Sequence, residues 1–402
     1  MKSPKIRFKE FQNEWNSRIL GDICSFSKGK GYSKSDLAAN GNPIILYGSL
    51  YTNYKTVIEK IDTFAKLKEN SILSFGDEVI MPSSGETAED ISIASAVKFK
   101  NAIIGGDLNI LKPKINSIFL AYKLSNGNTK KEISKKAQGK SVVHLYNNDL
   151  KNIKIRIPND IKEQEKIGEF FRKIDGILDL ENSRFKKLEN FKKTMLDKLF
   201  VKDGADEPQI RLSSFKGKWN SRILGDIGEI ITGSTPSTEE QENYSQNGML
   251  WVTPSDIKGI ITKNTAKKLS KIGIQKARVV PENSILVTCI ASIGKNTLVQ
   301  EPCSFNQQIN ALVPNKKFHT YFLLTLSSFW SKYMLEKMVG GMMPIVNKQE
   351  FSNIETRIPN DIKEQEEIGE FFRKIDGILE FSQKKITKLE NIKKYLLNKM
   401  FV

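Results

Sequence analysis

Histidine is nearly absent. The 402-residue chain holds only His144 and His319, far apart in sequence. That excludes a His-based metal centre or a two-histidine acid–base mechanism inside one block of sequence. Cysteine is scarce as well. Cys24, Cys289 and Cys303 are too scattered for a disulfide framework and lack C-x-x-C spacing; they are expected to remain reduced thiols, as in a cytosolic protein. No Pro-Pro pair occurs, so the Asn/Asp-Pro-Pro-aromatic motif of adenine methyltransferases is missing. The run IASIGKNT, with Cys289 before it, fails as a phosphate loop: Cys289 fills the first glycine position and Asn296 the Ser/Thr position. No stretch approaches the roughly 18 apolar residues of a membrane span. The best local run, YFLLTLSSFW from Tyr321 to Trp330, is short, contains Ser and Thr, and reads as a buried helix. The opening MKSPKIRFKEFQNEW lacks the apolar core of a signal peptide. No catalytic constellation is left, and the expectation is a chain without an active site.

Basic charge is what the chain has in excess. The net charge is +17 and the pI about 9.4, which favours an anionic partner, with nucleic acid first and an anionic membrane surface second. The excess is spread along the chain rather than held in a tail. The length allows two or three domains with real cores.

A long segment occurs twice. Residues 153–201 carry RIPNDIKEQEKIGEFFRKIDGIL and end LDKLFV; residues 354–402 carry RIPNDIKEQEEIGEFFRKIDGIL and end LNKMFV. About two-thirds of the positions match without a gap. A shorter repeat precedes each intervening block, PKIRFKEFQNEWNSRILGDI at Pro4 and PQIRLSSFKGKWNSRILGDI at Pro208. The chain is a doubled frame with divergent inserts, which suggests one molecule reading two different things at a fixed separation.

The long repeats read as helices. Asp160 and Asp361 are expected N-caps, with Glu163 and Glu364 three positions on as the acidic variant of a capping box. Apolar residues then follow a heptad: Ile167, Phe171, Ile174, Leu178, Phe185, Leu188, Met195 and Leu199, and Ile368, Phe372, Ile375, Leu379, Ile386, Leu389, Leu396 and Met400. Glu181 and Lys192, then Ser382 and Lys393, interrupt the seam; they either set register or mark where another subunit packs. Gly176 and Gly377 are candidate bends. Each helix of about 40 residues would span about 60 Å. The simplest way to bury both seams pairs them within one chain, antiparallel, with an insert near each end; an intermolecular coiled coil is the alternative, because heptads alone choose neither orientation nor partner.

The inserts read as mixed α/β. Strand-like runs are IILY at Ile44, SILSF at Ser71, EVIMP at Glu78, AIIGG at Ala102, MLWVTP at Met249, SILVTCI at Ser284 and INALVP at Ile309. Helix-like stretches close each insert, and the ends align without a gap, so they look like one fold with altered surfaces. The expected fold is α+β: two pseudo-repeated mixed α/β domains (residues 1–152 and, with a linker, 202–353) separated by long helices (153–201 and 354–402) paired as an antiparallel coiled coil.

Taken together, the double array of an extended IP followed by an EQ-containing helix start, with GSTPS at Gly233, WVTPSDIKG at Trp251 and GDEVIMPSSGET at Gly76, resembles the specificity subunit of type I restriction–modification enzymes (HsdS). The resemblance covers nearly the whole chain. It implies a cytoplasmic DNA-reading scaffold with no active site and no bound cofactor. Two target recognition domains would each bind half of a bipartite sequence in double-stranded DNA. The helices would be the spacer and the dock for two methyltransferase subunits, which use S-adenosylmethionine, while two restriction/translocase subunits use ATP and Mg2+. No membrane partner is implied. The rival reading is a coiled-coil interaction protein whose inserts bind RNA or protein.

Side chains suited to phosphates and base edges give the candidate contacts. In the first insert they are Lys28, Lys30, Tyr32 and Lys34 around two glycines; Tyr51, Asn53, Tyr54 and Lys55, with Tyr47; Ser83, Ser84, Glu86 and Thr87 after a strand; and Lys135, Lys136, Gln138, Lys140, Ser141 and His144, where Gly139 permits close backbone approach. Solvated turns and partial core burial of the tyrosines are the plain alternatives. In the second insert they are Thr232, Ser234, Thr235 and Ser237; Thr253, Ser255 and Asp256, which face DNA or merely cap a turn; Asn306, Gln307 and Gln308, good adenine-reading types; and Gly340, Gly341 and Met342, with Met343, which align with Gly139 to Val142. Trp251 reads as core.

Overall fold

The computed structural model describes residues 3–139, 142–202, 204–336 and 345–401. The chain divides into two compact units, residues 1–183 with 384–402, and residues 184–383. Each unit holds one insert, the first part of one long helix and the last part of the other.

In the first unit the strands Cys24–Lys28, Leu108–Pro113, Val79–Pro82 and Ser95–Val97 lie antiparallel in that order, and Val57–Ile58 closes the edge parallel to Ser95–Val97. In the second unit the order is Gly228–Thr232, Ile309–Pro314, Ile285–Thr288 and Asn296–Val299, again with a parallel edge strand, Ile261–Thr262. A four-stranded sheet accompanies each, built around Asn42–Ile45 in one and Tyr244–Val252 in the other. Inserts of largely unrelated sequence thus share the order of the five-stranded sheet, while the four-stranded sheets place a strand differently: Leu37–Ala38 pairs with Phe64–Ala65 in one and Val279–Val280 with Cys303–Phe305 in the other. The run SILSF departs from its strand reading: among the described residues its ladder contact is an isolated bridge between Leu73 and Ile103. Helix closes both inserts. It is broken in the first, where Ser117–Leu124 gives way to Gly127–Ser134 with Gly127 at φ 61°, and continuous in the second over Thr320–Glu336.

The long helices are Ile161–Leu199 and Ile362–Met400, each of 39 residues and unbroken at Gly176 and Gly377. Within the first unit Phe171 lies against Phe401, Asp175 pairs with Lys393 and Glu181 with Lys385. Within the second, Phe372 lies against Phe200 and Asp376 pairs with Lys192. Rising numbers on one helix meet falling numbers on the other, so the pairing in each unit is antiparallel and intramolecular. Three of the seam-breaking polar residues set register. Lys393 Nζ is 2.5 Å from Asp175, Lys192 Nζ is 2.6 Å from Asp376, and Lys385 reaches Glu181 at 2.8 Å. Each of the two aspartates also accepts a tyrosine hydroxyl from its insert, Tyr122 at 2.6 Å and Tyr321 at 2.9 Å. Burial and the adjoining carboxylate push both phenols above their ordinary pKa.

The short repeats explain themselves at the helix ends. Ile6 N–H donates to the carbonyl of Lys399 and Ile210 N–H to that of Lys198, satisfying a carbonyl orphaned at each helix C-terminus. Arg7 grips both oxygens of Glu163 through Nε and Nη2, at 2.6 and 2.7 Å, while Trp15 donates to the same carboxylate; Arg211 reaches both oxygens of Glu364 through Nη1 alone, and Trp219 donates to it as well. This departs from the capping-box expectation. The aspartates do cap, Asp160 accepting from Lys162 N–H and Asp361 from Lys363 N–H. The glutamates face inward beneath the repeat, where a buried carboxylate needs a bidentate partner. Burial raises the Glu364 carboxyl above its usual pKa, with Arg211 opposing. Gln164 and Gln365 complete the frame by donating to the carbonyls of Pro158 and Pro359 and accepting from Asn116 N–H and His319 N–H. The terminal Phe200 and Phe401 enter aromatic clusters with Trp219 and Trp15 respectively.

Candidate nucleic-acid interface

The first insert sorts its candidates into separate places. Val143–His144 pairs with Ser84–Gly85, Gln138 and His144 exchange two backbone hydrogen bonds, and the Tyr51 hydroxyl donates to Ser84 O at 2.6 Å. Burial lifts the pKa of that phenol. Tyr146 stacks on His144 with centroids 6.1 Å apart, and Lys28 Nζ lies 5.7 Å from the Tyr146 ring. Lys28, Tyr51, Ser84, Gln138 and His144 therefore converge, with exposed Glu86 and Thr87 next in the loop. The Thr87 hydroxyl donates to Asp90 at 2.6 Å. Tyr146 was missed in the sequence; only the ribbon brings it beside Lys28.

Other candidates go elsewhere. Tyr32, at φ 61°, bonds Ser71 and the Lys68 amide, so it pins its loop to residues 66–71; Lys30 and Lys34 are exposed beside it. Tyr54 donates to Ala94 O and Ser125, and burial of that hydroxyl raises its pKa. Lys55 pairs with Asp179 on the long helix at 3.3 Å, while Asn53 is exposed. Ser83 is only 4% exposed, with its side chain inside the module. Lys135 pairs with Glu132, and Lys136 is exposed. Gly139, at φ 127°, does allow a close approach, but to its own chain: a Cβ there would run into the Val142 carbonyl. Lys140, Ser141, Gly340, Gly341, Met342 and Met343 lie outside the described residues.

The second insert gathers its candidates more tightly. The Thr232 hydroxyl donates to Asn310 at 2.6 Å, Ser234 N–H to Phe305 O, and Thr235 to Gln307. The chain can close this way because Gly233 sits where a Cβ would strike the Asn306 carbonyl. Trp251 is 6% exposed and donates to Ser234 O, which makes it core. Asp256 is a turn cap, accepting from Thr253 N–H and hydroxyl and from Ala266 N–H; Ser255 is exposed beside it. Asn306 and Gln308 bond each other, leaving Gln307 as the exposed amide. The exposed Ser237 lends its carbonyl to Asn243. Arg278, missed in the sequence because KARVV carries no spacing signal, joins this cluster through its amide on Ser234 Oγ and its guanidinium on Thr232 O, both at 2.8 Å.

The thiols are ill-suited to chemistry. Burial pushes Cys24 and Cys303 up to about 12 and Cys289 to about 11, where the reactive thiolate is suppressed. Among the described residues no helix is long and apolar enough to cross a membrane.

Comparison with known proteins agrees with this architecture. The chain is 32% identical over 167 residues to the HindI specificity subunit of Haemophilus influenzae, across 40% of this chain and 36% of that one. It is 23% identical to the putative type I restriction enzyme MjaX specificity subunit of Methanocaldococcus jannaschii, across 98% and 94%. The solved S subunit of a type I restriction–modification system from M. genitalium superposes with a TM-score of 0.72 at 17% identity, covering 100% of this chain and 99% of that one, which speaks to the fold. The type I restriction modification DNA specificity domain matches twice, over residues 12–190 and 216–391. Two matches, one for each frame and insert, span most of the sequence, and the chain belongs to the family of type I restriction–modification DNA specificity subunits.

Proposed function

We propose that this chain is the DNA-recognition subunit of a type I restriction–modification complex, reading a bipartite, non-palindromic target. One observation carries the reading. Two modules built on the same five-stranded order carry different side chains in their loops, a Tyr/His/Lys group at the Ser84–Gly85 ribbon in one and a Thr/Gln/Arg group at the Gly233 turn in the other. Unlike surfaces on one scaffold call for unlike half-sites. Residues 1–152 and 202–353 act as the recognition domains, and 153–201 and 354–402 as the spacer and dock. Two methyltransferase subunits and two restriction/translocase subunits complete the assembly in the cytoplasm. The chain alone is catalytically inert; S-adenosylmethionine, ATP and Mg2+ belong to its partners. The rival coiled-coil adaptor for RNA or protein is not supported, since the relatives are restriction-enzyme specificity subunits.

Methylome sequencing of a host with and without the gene, partner subunits present, tests this. The expected result is one asymmetric two-part motif that vanishes with the gene. Methyl transfer by the purified chain without partners would overturn the inert role.

A further inference from the structure

The loop cluster of the second insert holds an arginine in a way that a freely solvated side chain is not held. Arg278 precedes the strand Val279–Val280 and is exposed. Its own N–H donates to Ser234 Oγ at 2.8 Å, and Nη1 donates to the Thr232 carbonyl at 2.8 Å. Both acceptors sit on the turn that Gly233 locks against Asn306. The backbone and guanidinium are therefore anchored to the same rigid turn. Among the described residues Arg278 makes no ion pair. The remaining edge of the guanidinium, Nε and Nη2, presents two parallel donors in a fixed plane.

Gln307 is tied to the same turn. Its carbonyl oxygen accepts from Thr235, which orients the exposed amide and leaves its NH2 free of that bond. Asn306 and Gln308 are bonded to each other and do not compete for the same space. The turn thus holds the Arg278 and Gln307 donors, while the Glu240 and Glu242 carboxylates are taken up by Lys276. In the major groove, guanine presents two acceptors, N7 and O6, matched by a planar two-donor fork. Adenine presents one donor and one acceptor, and cytosine a donor, so neither satisfies that fork.

Resting on the DNA-reading role proposed above, we infer that Arg278 is a base-reading residue of the second module, making a bidentate contact to a guanine, with Gln307 donating beside it. A mobile lysine neutralising phosphate needs no such anchoring, whereas discrimination between bases requires the donor plane to be held in place.

The test uses the full chain co-expressed with its partner subunits, the wild type and the variants Arg278→Ala and Arg278→Lys, read by methylome sequencing. Both variants are expected to relax one G·C position in one half-site, with a preference loss of roughly ten- to a hundredfold, while the other half-site keeps every letter. Arg278→Lys keeps the charge but not the fork, so it separates base reading from phosphate binding. A motif unchanged in all letters, or a uniform loss of methylation restored by lysine, would overturn the assignment. Absence of any motif with the wild-type chain would overturn the DNA-reading role and this assignment together.

Discussion

Glu163 and Glu364 sit in the first turns of the long helices, almost wholly buried, and each depends on one arginine from a distant segment. Removing that arginine leaves a carboxylate without its counter-charge in the interior. Arg7→Ala or Arg211→Ala should cost about 3 kcal/mol, the usual penalty for breaking a buried pair from one side; denaturant unfolding of the purified chain measures it. Lys123 offers a pH test. It is 1% exposed, and burial, aided by Arg156, pulls its pKa from 10.5 down to about 8. A depressed pKa means that the folded state holds fewer protons than the unfolded one between those values. Stability carried by this group is complete above pH 10.5 and is lost as the pH falls toward about 8. The wild type should therefore gain stability relative to Lys123→Met as the pH is raised through that window. A constant difference between the two unfolding curves would refute it.

The paired helices carry their instructions in a few polar positions rather than in the apolar seam. Asp376, 8% exposed at its side chain, is paired with Lys192 and Tyr321; Asp175, 26% exposed, is paired with Lys393 and Tyr122. The same three residue types recur, but the tyrosines come from different turns. Aligned on Phe119 and Phe322, whose backbones lie against Gly168 and Gly369 of the long helices, Tyr122 matches Thr325 and Tyr321 matches Ile118. The contact is kept although its donor has moved by one helical turn. Because Asp376 is the more deeply buried, Asp376→Ala should destabilise by about 3 kcal/mol and Asp175→Ala by about 1–2 kcal/mol, an order that thermal unfolding of the two variants reads directly. Spacing belongs to the same scale. Adding or removing one turn in both helices moves an end by about 5.4 Å, so the permitted gap between half-sites should change while each half-site keeps its letters. Altered letters with an unchanged gap would refute the spacer role.

For the molecule as a whole, the +17 charge makes association with duplex DNA strongly salt-dependent. The assembled complex should lose affinity for its target by orders of magnitude between low and moderate salt, with a linear log–log slope. A flat slope in an anisotropy titration would remove phosphate contacts as the source of binding. The specificity ratio should survive that change better than the affinity, since base contacts carry it.

Much of this architecture was legible from residue order. The duplication, the heptads ending at Leu199 and Met400, and the strands IILY, EVIMP and SILVT follow from periodicity, a local property that tertiary packing here had no reason to override. SILSF falls short of a full strand because its pairing with the neighbouring segment is a single bridge, Leu73 with Ile103, flanked by Ile104 N–H to Ile72 O and Ser74 N–H to Ala102 O. The candidate contacts were legible only as residue types. Lys28 and Tyr146, or Thr235 and Gln307, lie far apart in sequence, and no spacing rule says which loops meet. The sequence by itself determined that there are two frames, two helices and two unlike inserts. The tertiary structure alone decided that the helices pair antiparallel within one chain, that Glu163 and Glu364 serve arginines rather than caps, and that Arg278 joins the Gly233 turn. Each of those depends on a contact between sequence-distant groups, fixed when buried charges and donors must find partners.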